Sequence, residues 1–321
     1  MIVFVSTHRH RFTHRAVPYL PGAPRTARRH YWQFIHSRSV ASATYVLVDL
    51  DRLGPWELEL AARLYRCLKA AGLRVLNDPA LHLGRYALLR RLSENGTNNF
   101  TGWSPVLGEQ PERFPVFLRT QSAHRGPLTG LLHDLQAAEA ALAEALAEGY
   151  PLADLVFIEY AAAPAANGIF QKRAIFRIGD QLVPAPSVHS RDWAAKTGEL
   201  GIAGEEMYAA ERASLDDMPF TKTLMAAFEV AGVEYGRADF GVLNDAPQIY
   251  EINSNPMISR PSTHPNADRH ETTRISDERY TAALTAIDSP AVGRRVPLND
   301  PILMLQRQRD ARRLWLRHWL P

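Results

Sequence analysis

The sequence has a single cysteine, Cys67, in 321 residues, which excludes an intramolecular disulfide and makes a reducing compartment the expected home. It has no apolar run near the roughly 18 residues that a membrane-crossing helix needs. It has little net charge, because 37 Lys and Arg face 34 Asp and Glu, and the resulting +3 is too weak a field for an obvious nucleic-acid binder. A secretory leader is not expected either. Met1 to Ser6 is apolar and the chain turns basic at His8 to Arg11, the reverse of a leader, so the sequons at Asn95 and Asn99 carry no meaning and a cytoplasmic location is expected. What the chain does have is 46% apolar and 22% charged residues, the composition of a globular protein, with length for about two domains.

Strand-like Ile2 to Val5, a Pro- and Arg-rich connection, a strand Tyr45 to Leu50, a helix Pro55 to Ala71 and a strand Leu73 to Leu76 predict a small parallel α/β unit over residues 1–80. A second block, 81–260, reads as α+β. It has helices at Gly84 to Glu94 and at Asp134 to Glu148, the latter with Leu135, Ala138, Leu142 and Leu146 on one face. Strands fall at Pro115 to Thr120 and Asp154 to Tyr160, and a hairpin Gln171 to Ile178 and Gln181 to Pro184 turns at Gly179-Asp180. A helix capped by Asp216 or Asp217 and ending at Gly232 precedes two further strands, Val233 to Leu243 and Gln248 to Asn253. Residues 261–321 read as an extension, Pro- and His-rich and then a basic helix. In Arg307 to His318, with Trp315 and Trp319 four apart, the narrow apolar stripe favours docking on the core over a membrane surface.

The stretch Glu234 to Pro256 alternates polar and apolar residues twice. A hairpin centred on Asp245 sets Asp239 opposite Glu251 and Arg237 opposite Asn253, and the period of two puts all four on one face. Two carboxylates with Cβ atoms about 5 Å apart repel unless a cation lies between them. With an asparagine oxygen they form a hard-oxygen set suited to Mg²⁺, and Arg237 has the fork that fits phosphate. A solvated charged hairpin is the alternative. Core-like neighbours such as Ala238, Phe240, Ile249 and Ile252, and the Asn-Ser-Asn-Pro ending, weigh against it.

In these residues the sequence resembles the ATP-grasp superfamily, specifically its glutathione synthetase and ribosomal-protein glutamate ligase branch, whose signature is an Asp on one strand and Glu-x-Asn-x-x-Pro on the next. Here those are Asp239 and Glu251-Ile-Asn253-Ser-Asn-Pro256. The resemblance extends loosely over residues 78–256. It implies an ATP-grasp fold with a small amino-terminal parallel α/β domain and two α+β lobes enclosing ATP. It also implies that Asp239, Glu251 and Asn253 hold two Mg²⁺ ions, Mn²⁺ being the alternative, on the ATP phosphates. Phe157-Ile-Glu159-Tyr160 is similar to the family's adenine-reading hinge, with Glu159 and the Tyr160 amide at the base edge. The hairpin from Lys172 to Asp180 is similar to the family's internal hairpin and brings Lys172 to the nucleotide. The family's two phosphate-binding lysines correspond to Arg85 and Arg119, which keep the charge but change the geometry.

Ser122 to Gly126, with His124 and Arg125, falls where the family places a loop over the phosphates; a plain surface turn is the other reading. Ser187 to Lys196 falls where the family clamps the second substrate, which implies His189, Arg191 and Lys196 as stabilisers of an acyl phosphate, solvated loop charges being the other reading. Asn167 is the polar candidate near the ribose. His8, His10 and His14 among Arg9, Arg11 and Arg15 follow the first strand and read as a cationic loop at the carboxyl end of a parallel sheet, where such sheets bind ligands. The expected function is an ATP- and Mg²⁺-dependent carboxylate–amine ligase acting through an acyl phosphate on a small-molecule or peptide acid and an amine. The alternatives are a kinase-like phosphotransferase and a non-catalytic nucleotide-binding protein. Neither a nucleic-acid partner nor a membrane span is expected, and a homo-oligomer stays open.

Overall fold

The computed structural model describes residues 1–122, 126–165, 167–259, 264–290 and 293–317, with side chains to residue 312. The amino-terminal layer comprises β1 (Ile2–Ser6), β2 (Thr26–His30), α1 (Tyr31–Ile35), β3 (Ser39–Ala41), β4 (Thr44–Leu47), α2 (Pro55–Ala70) and β5 (Val75–Leu76). β2, β1, β4 and β5 form a parallel sheet in that order. β1 is buried on both faces. Val3 and Val5 pack with Leu60, Leu64 and Leu68 of α2, while Ile2 and Phe4 pack on the opposite side, as the period of two requires. Pro55 opens α2, and the Glu57 carboxylate accepts from the Gly54 amide at 2.9 Å. The Pro- and Arg-rich connection hides a strand, β2. As an edge strand it exposes Arg28 and Arg29, and charge on an edge erases the apolar signature of a strand.

The middle of the chain supplies α3 (Arg85–Glu94), β6 (Gly102–Trp103), β7 (Val116–Thr120), α4 (Leu135–Ala147) and β8 (Leu155–Glu159). The three strands form an antiparallel sheet, β6-β8-β7. On β7 the side chains of Val116 and Leu118 pack toward α4, which leaves Phe117 and Arg119 on the other face. α4 buries Ala138, Ala141 and Ala145, with Leu142 partly covered, while Leu146 is 41% exposed. The expected leucine face is therefore rotated: alanines let the helix lie close on the sheet.

Next come β9 (Phe170–Ile178), β10 (Gln181–Ser190), α5 (Glu205–Asp217), α6 (Thr221–Val230), β11 (Tyr235–Leu243) and β12 (Ala246–Asn253). The sheet order is β10-β9-β11-β12, antiparallel throughout. Where one helix was expected to start at Asp216 or Asp217, two occur. Asp217 ends α5, and the chain then breaks at Pro219, flanked by Met218 and Phe220 at φ of 40° and 67°. β10 also runs on to Ser190, beyond the expected Pro184.

The chain closes with α7 (Ala267–Ile287), β13 (Arg295–Pro297) and α8 (Pro301–Arg317). α7 has no apolar period in its first half because the positions it buries there are Thr272 and Ser276; Tyr280, Ala283, Leu284 and Ile287 follow on the same side. Those last residues pack on Ile2, Phe4 and Ile178. α8 docks on the amino-terminal layer as expected, with Leu303 fully buried among the α2 leucines and Arg307 Nε donating to the Ile35 carbonyl at 2.6 Å. Trp315 and Trp319, which carried the sequence argument, lie outside the described side chains.

Buried polar side chains join these layers. Asn77, fully buried at φ 65°, donates from Nδ2 to the carbonyls of Leu47 (3.0 Å) and Tyr235 (2.8 Å), and its Oδ1 accepts from the amides of Glu234 and Tyr235, each at 2.8 Å. Asn98 pairs with both backbone groups of Ile249 and so covers part of the β12 edge. His14 stacks on Phe4 at 4.1 Å, its Nε2 lying 2.8 Å from the Tyr235 hydroxyl. Burial, and then the charge of Arg28, push its pKa down to about 3.

Asn77→Ala should destabilise the protein by about 3–5 kcal/mol, because two buried amides and two carbonyls lose their partner at once. Urea unfolding would show it; a cost under about 1 kcal/mol would mean the joint is redundant. For His14 the unfolded imidazole takes up a proton near pH 6.5 that the native one refuses until about pH 3. Stability is thus lost as pH falls through that window, by roughly 1.4 kcal/mol per pH unit. The pH slope of wild type minus that of His14→Gln should show this excess; identical slopes would contradict a neutral buried imidazole.

Candidate active site

The β11–β12 hairpin turns through Asn244 and Asp245 at φ of 51° and 58°, with Leu243 paired to Ala246. That turn lies half a residue before the centre inferred from the alternation. A bulge corrects it: Asp239 pairs with Glu251 but Phe240 with Ile249, so Tyr250 is the extra residue. Beyond the bulge the register is the one expected, with Arg237 opposite Asn253. Ala238 and Phe240 point into the core against Leu224 and Phe228 of α6, and Arg237 and Asp239 therefore face the other way. The Tyr250 ring lies over Gly241, where a Cβ would fall 2.1 Å from its hydroxyl oxygen, so only glycine fits beneath it.

Each carboxylate on this face meets a cation. Arg237 grips Asp239 with Nε–Oδ1 at 2.7 Å and Nη2–Oδ2 at 3.1 Å. Lys172 Nζ, on β9, lies 3.5 Å from the same carboxylate. Arg85, at the start of α3, reaches Glu251 at 2.8 Å, and its buried Nε and Nη1 have no partner among the described residues. Burial, then the neighbouring Arg85, push the Arg119 pKa down to about 10 against the pull of Glu251. Four cations, Arg85, Arg119, Lys172 and Arg237, thus surround two carboxylates, leaving two positive charges in excess. Magnesium-bound ATP is a dianion. The ligand chemistry also fits Mg²⁺, with two carboxylates and one amide oxygen, although no cluster of three or more His, Cys, Asp or Glu suited to a metal occurs among the described residues.

This face forms one wall of a cavity of about 430 Å³ between the three-stranded and four-stranded sheets. The opposite wall carries Phe117, Arg119, Ile158 and Glu159, and Trp193 reaches in to lie 4.9 Å from Phe117 and edge-on to Tyr160. The remaining side is closed by the loop after β1 and by Arg52 of the amino-terminal layer.

Of the residues singled out by sequence, Asp239, Glu251, Asn253, Arg237, Lys172, Arg119, Glu159, Tyr160 and Lys196 line this cavity, and Arg85 joins it through Glu251. Glu159 is already engaged: Arg113 holds its carboxylate at 2.8 Å and the Thr101 amide donates to it at 3.3 Å, while burial pushes its pKa up. Both contacts fall on Oε2 of Glu159, and the Tyr160 amide donates to the Pro115 carbonyl at 2.9 Å, so of the two groups expected at a base edge the amide is engaged within the fold.

His189 and Arg191 do not line the cavity. Because β10 extends to Ser190, His189 is a buried strand residue edge-on to Tyr208 at 5.6 Å, and burial pushes its pKa down. Arg191 points outward, 72% exposed, and pairs with Glu199 at 3.5 Å. Asn167 turns to Met207 at 3.4 Å, away from the cavity. His124 and Arg125 lie outside the described residues. Arg52, Trp193 and Asn255 line the cavity without having been singled out. The position of Arg52, just past a parallel strand, was the signal that could have found it.

No family model and no curated protein matches this sequence. Solved structures do. D-alanine–D-alanine ligase from Bacillus anthracis superposes with a TM-score of 0.50 at 13% identity, covering 89% of this chain and 98% of that one. The same ligase complexed with ATP gives 0.49 at 13% identity, over 88% and 98%. A RimK domain protein, ATP-grasp, from Sphaerobacter thermophilus DSM 20745 gives 0.44 at 17% identity, over 85% and 98%. At such identities the likeness concerns the fold.

The cationic excess makes its own prediction. Arg85→Ala and Arg119→Ala should each weaken binding of inorganic tripolyphosphate by about 1.5–3 kcal/mol, the range for hydrogen bonds to charged groups, with lysine restoring part of it. Arg191→Ala should leave calorimetric affinity unchanged. Wild-type affinity in both cavity variants would mean the anion lies elsewhere.

Proposed function

We propose that this chain, whose fold is that of the ATP-grasp enzymes, joins a carboxylate to an amine with conversion of ATP to ADP and phosphate. The observation that carries the reading is the register of β11 on β12. It sets Asp239 and Glu251 side by side with Asn253 and Arg237 on one cavity wall, with Lys172 beside them, Arg85 on Glu251 and Arg119 across the cavity.

In this reading Asp239, Glu251 and Asn253 hold Mg²⁺, which when bound supplies positive charge to the phosphate oxygens. Arg85, Arg119 and Lys172 bind the ATP phosphates, and the aromatic rings of Phe117, Tyr160 and Trp193 offer flat apolar surface for the base. A substrate carboxylate oxygen attacks the terminal phosphorus and ADP leaves. Arg237, on the same wall, neutralises charge on the transferring group. The amine then attacks the acyl carbon, the C–O bond to phosphate breaks, and the amine proton leaves with the phosphate, so no side-chain nucleophile is needed. Lys196, whose stem runs close to Gly126, closes over the same space. The carboxylates are neutralised without any metal, by Arg237, Lys172 and Arg85, which favours nucleotide binding without turnover as the second reading.

One experiment separates these, and a kinase-like phosphotransfer too. With an acid and an amine that release ADP, ¹⁸O placed in the carboxylate should be found in the inorganic phosphate. Label retained in a stable phosphorylated product would replace ligase by kinase, and no ADP release across a broad panel of acids and amines would favour the binding protein.

A further inference from the structure

The amino-terminal side of the cavity carries a charge pattern that the ligase chemistry does not use. Residues 7–52 hold eight arginines and no lysine against two acids, Asp49 and Asp51, an excess of six positive charges where the whole chain has an excess of three. From this segment His10, Phe12, Thr13 and Arg52 line the cavity.

Arg52 is held in place from behind. Asp49 is fully buried at φ 66°, a left-handed conformation that side chains rarely adopt, and it accepts from the Thr7 amide at 3.1 Å, from the Thr7 hydroxyl and from Arg52 Nη1 at 2.6 Å. His10 Nδ1 lies 3.0 Å from the Thr7 hydroxyl and 3.5 Å from the Asp49 carboxylate, and Asp51 lies 3.7 Å from Arg52 Nη1. Both acids therefore engage the same guanidinium nitrogen. Nε and Nη2 of Arg52 have no partner among the described residues, and Arg52 borders the cavity. Two contacts fix this edge against the segment that follows β12: the Leu50 amide donates to Ser254 Oγ at 3.3 Å, and the Thr13 hydroxyl to Asn255 Oδ1 at 2.7 Å. Ser254 and Asn255 directly follow Asn253. Phe12 and Met257, both substantially exposed, supply apolar surface in the same cavity.

We propose that Arg52, oriented by Asp49 and assisted by His10, is a specificity subsite for a second acidic group on the carboxylate substrate, carried on a short apolar chain. The free fork edge of a guanidinium pairs with a planar carboxylate or a phosphonate oxygen pair, and the buried aspartate removes the entropy of orienting it. The proposal rests on the ligase reading for where the reacting carboxylate lies. Arg52 is a binding residue and Asp49 a positioning residue.

Calorimetry on the full chain with glutarate, phosphonobutyrate and butyrate tests it, with magnesium and a non-hydrolysable ATP analogue titrated separately. Butyrate is glutarate without its second carboxyl. Glutarate or phosphonobutyrate should bind about tenfold or more tightly than butyrate, and whichever does names the acidic group. Arg52→Gln should abolish the preference, Arg52→Lys should keep part of it, and Arg191→Gln, outside the cavity, should keep all of it. Equal binding of all three acids, binding of none, or a preference that survives Arg52→Gln in a variant with a wild-type circular dichroism spectrum overturns the subsite, whatever the nucleotide does. An Arg52-dependent preference in a protein that fails to bind the ATP analogue upholds the subsite and removes the ligase reading.

Discussion

Four hydrogen bonds from one buried carboxamide, that of Asn77, tie the carboxyl end of the parallel sheet to the strand that carries Arg237 and Asp239. Both a donor pair and an acceptor pair are needed, so no other side chain of this size can replace it. The left-handed backbone at Asn77 suits asparagine better than most residues, which is why this side chain can sit at a sharp exit from β5. With that joint made, the ends of β1 and β4 lie beside the segment that follows Asn253. The cavity thereby gains its third side, and the loop after β1 becomes part of a site rather than a surface turn.

The second constraint is electrostatic. Like charges on Asp239 and Glu251 would open the hairpin if left alone, and the cations from β9, β11 and α3 hold them together. Arginine at positions 85 and 119 suits this double duty, because a guanidinium is readily desolvated, stays charged when buried and has donors left after pairing with a carboxylate. A lysine buried as deeply as Arg119 would be nearer to losing its proton. The same neutralisation pairs each carboxylate of the wall with a cation from the fold itself.

The carboxyl-terminal residues serve the same assembly. α7 lies across the junction of the parallel and four-stranded sheets, its Tyr280 hydroxyl 2.6 Å from that of Tyr235, and its Arg269 holds the buried Glu211 of α5 with two bonds of 2.7 and 2.6 Å. α8 and β13 return to the amino-terminal layer, β13 pairing with β3. His14 completes the seam by stacking on Phe4. Of three histidines within seven residues, His8 lies edge-on to His30, His10 borders the cavity and His14 is sealed in the core, so identical residue types in one loop meet three environments.

The sequence by itself determined what depends on neighbours along the chain. The alternation through Glu234 to Asn253 is local, so it fixed which side chains share a face and that Asp239 meets Glu251; the bulge at Tyr250 even restored the register that a wrongly centred turn would have lost. Pro55 marked the start of α2 for the same reason. The tertiary structure decided everything that required knowing what lies opposite. β2 and α7 escaped because an edge strand exposes arginines and a helix can bury Thr272 and Ser276, so their buried faces are not apolar. His189 was misread because strand length, set by pairing with Gln171, carried it into the core. Asp49 and Arg52 became a site only when parallel strands brought Thr7 beside them, since hydrogen bonds between residues some 42 positions apart leave no period in a sequence.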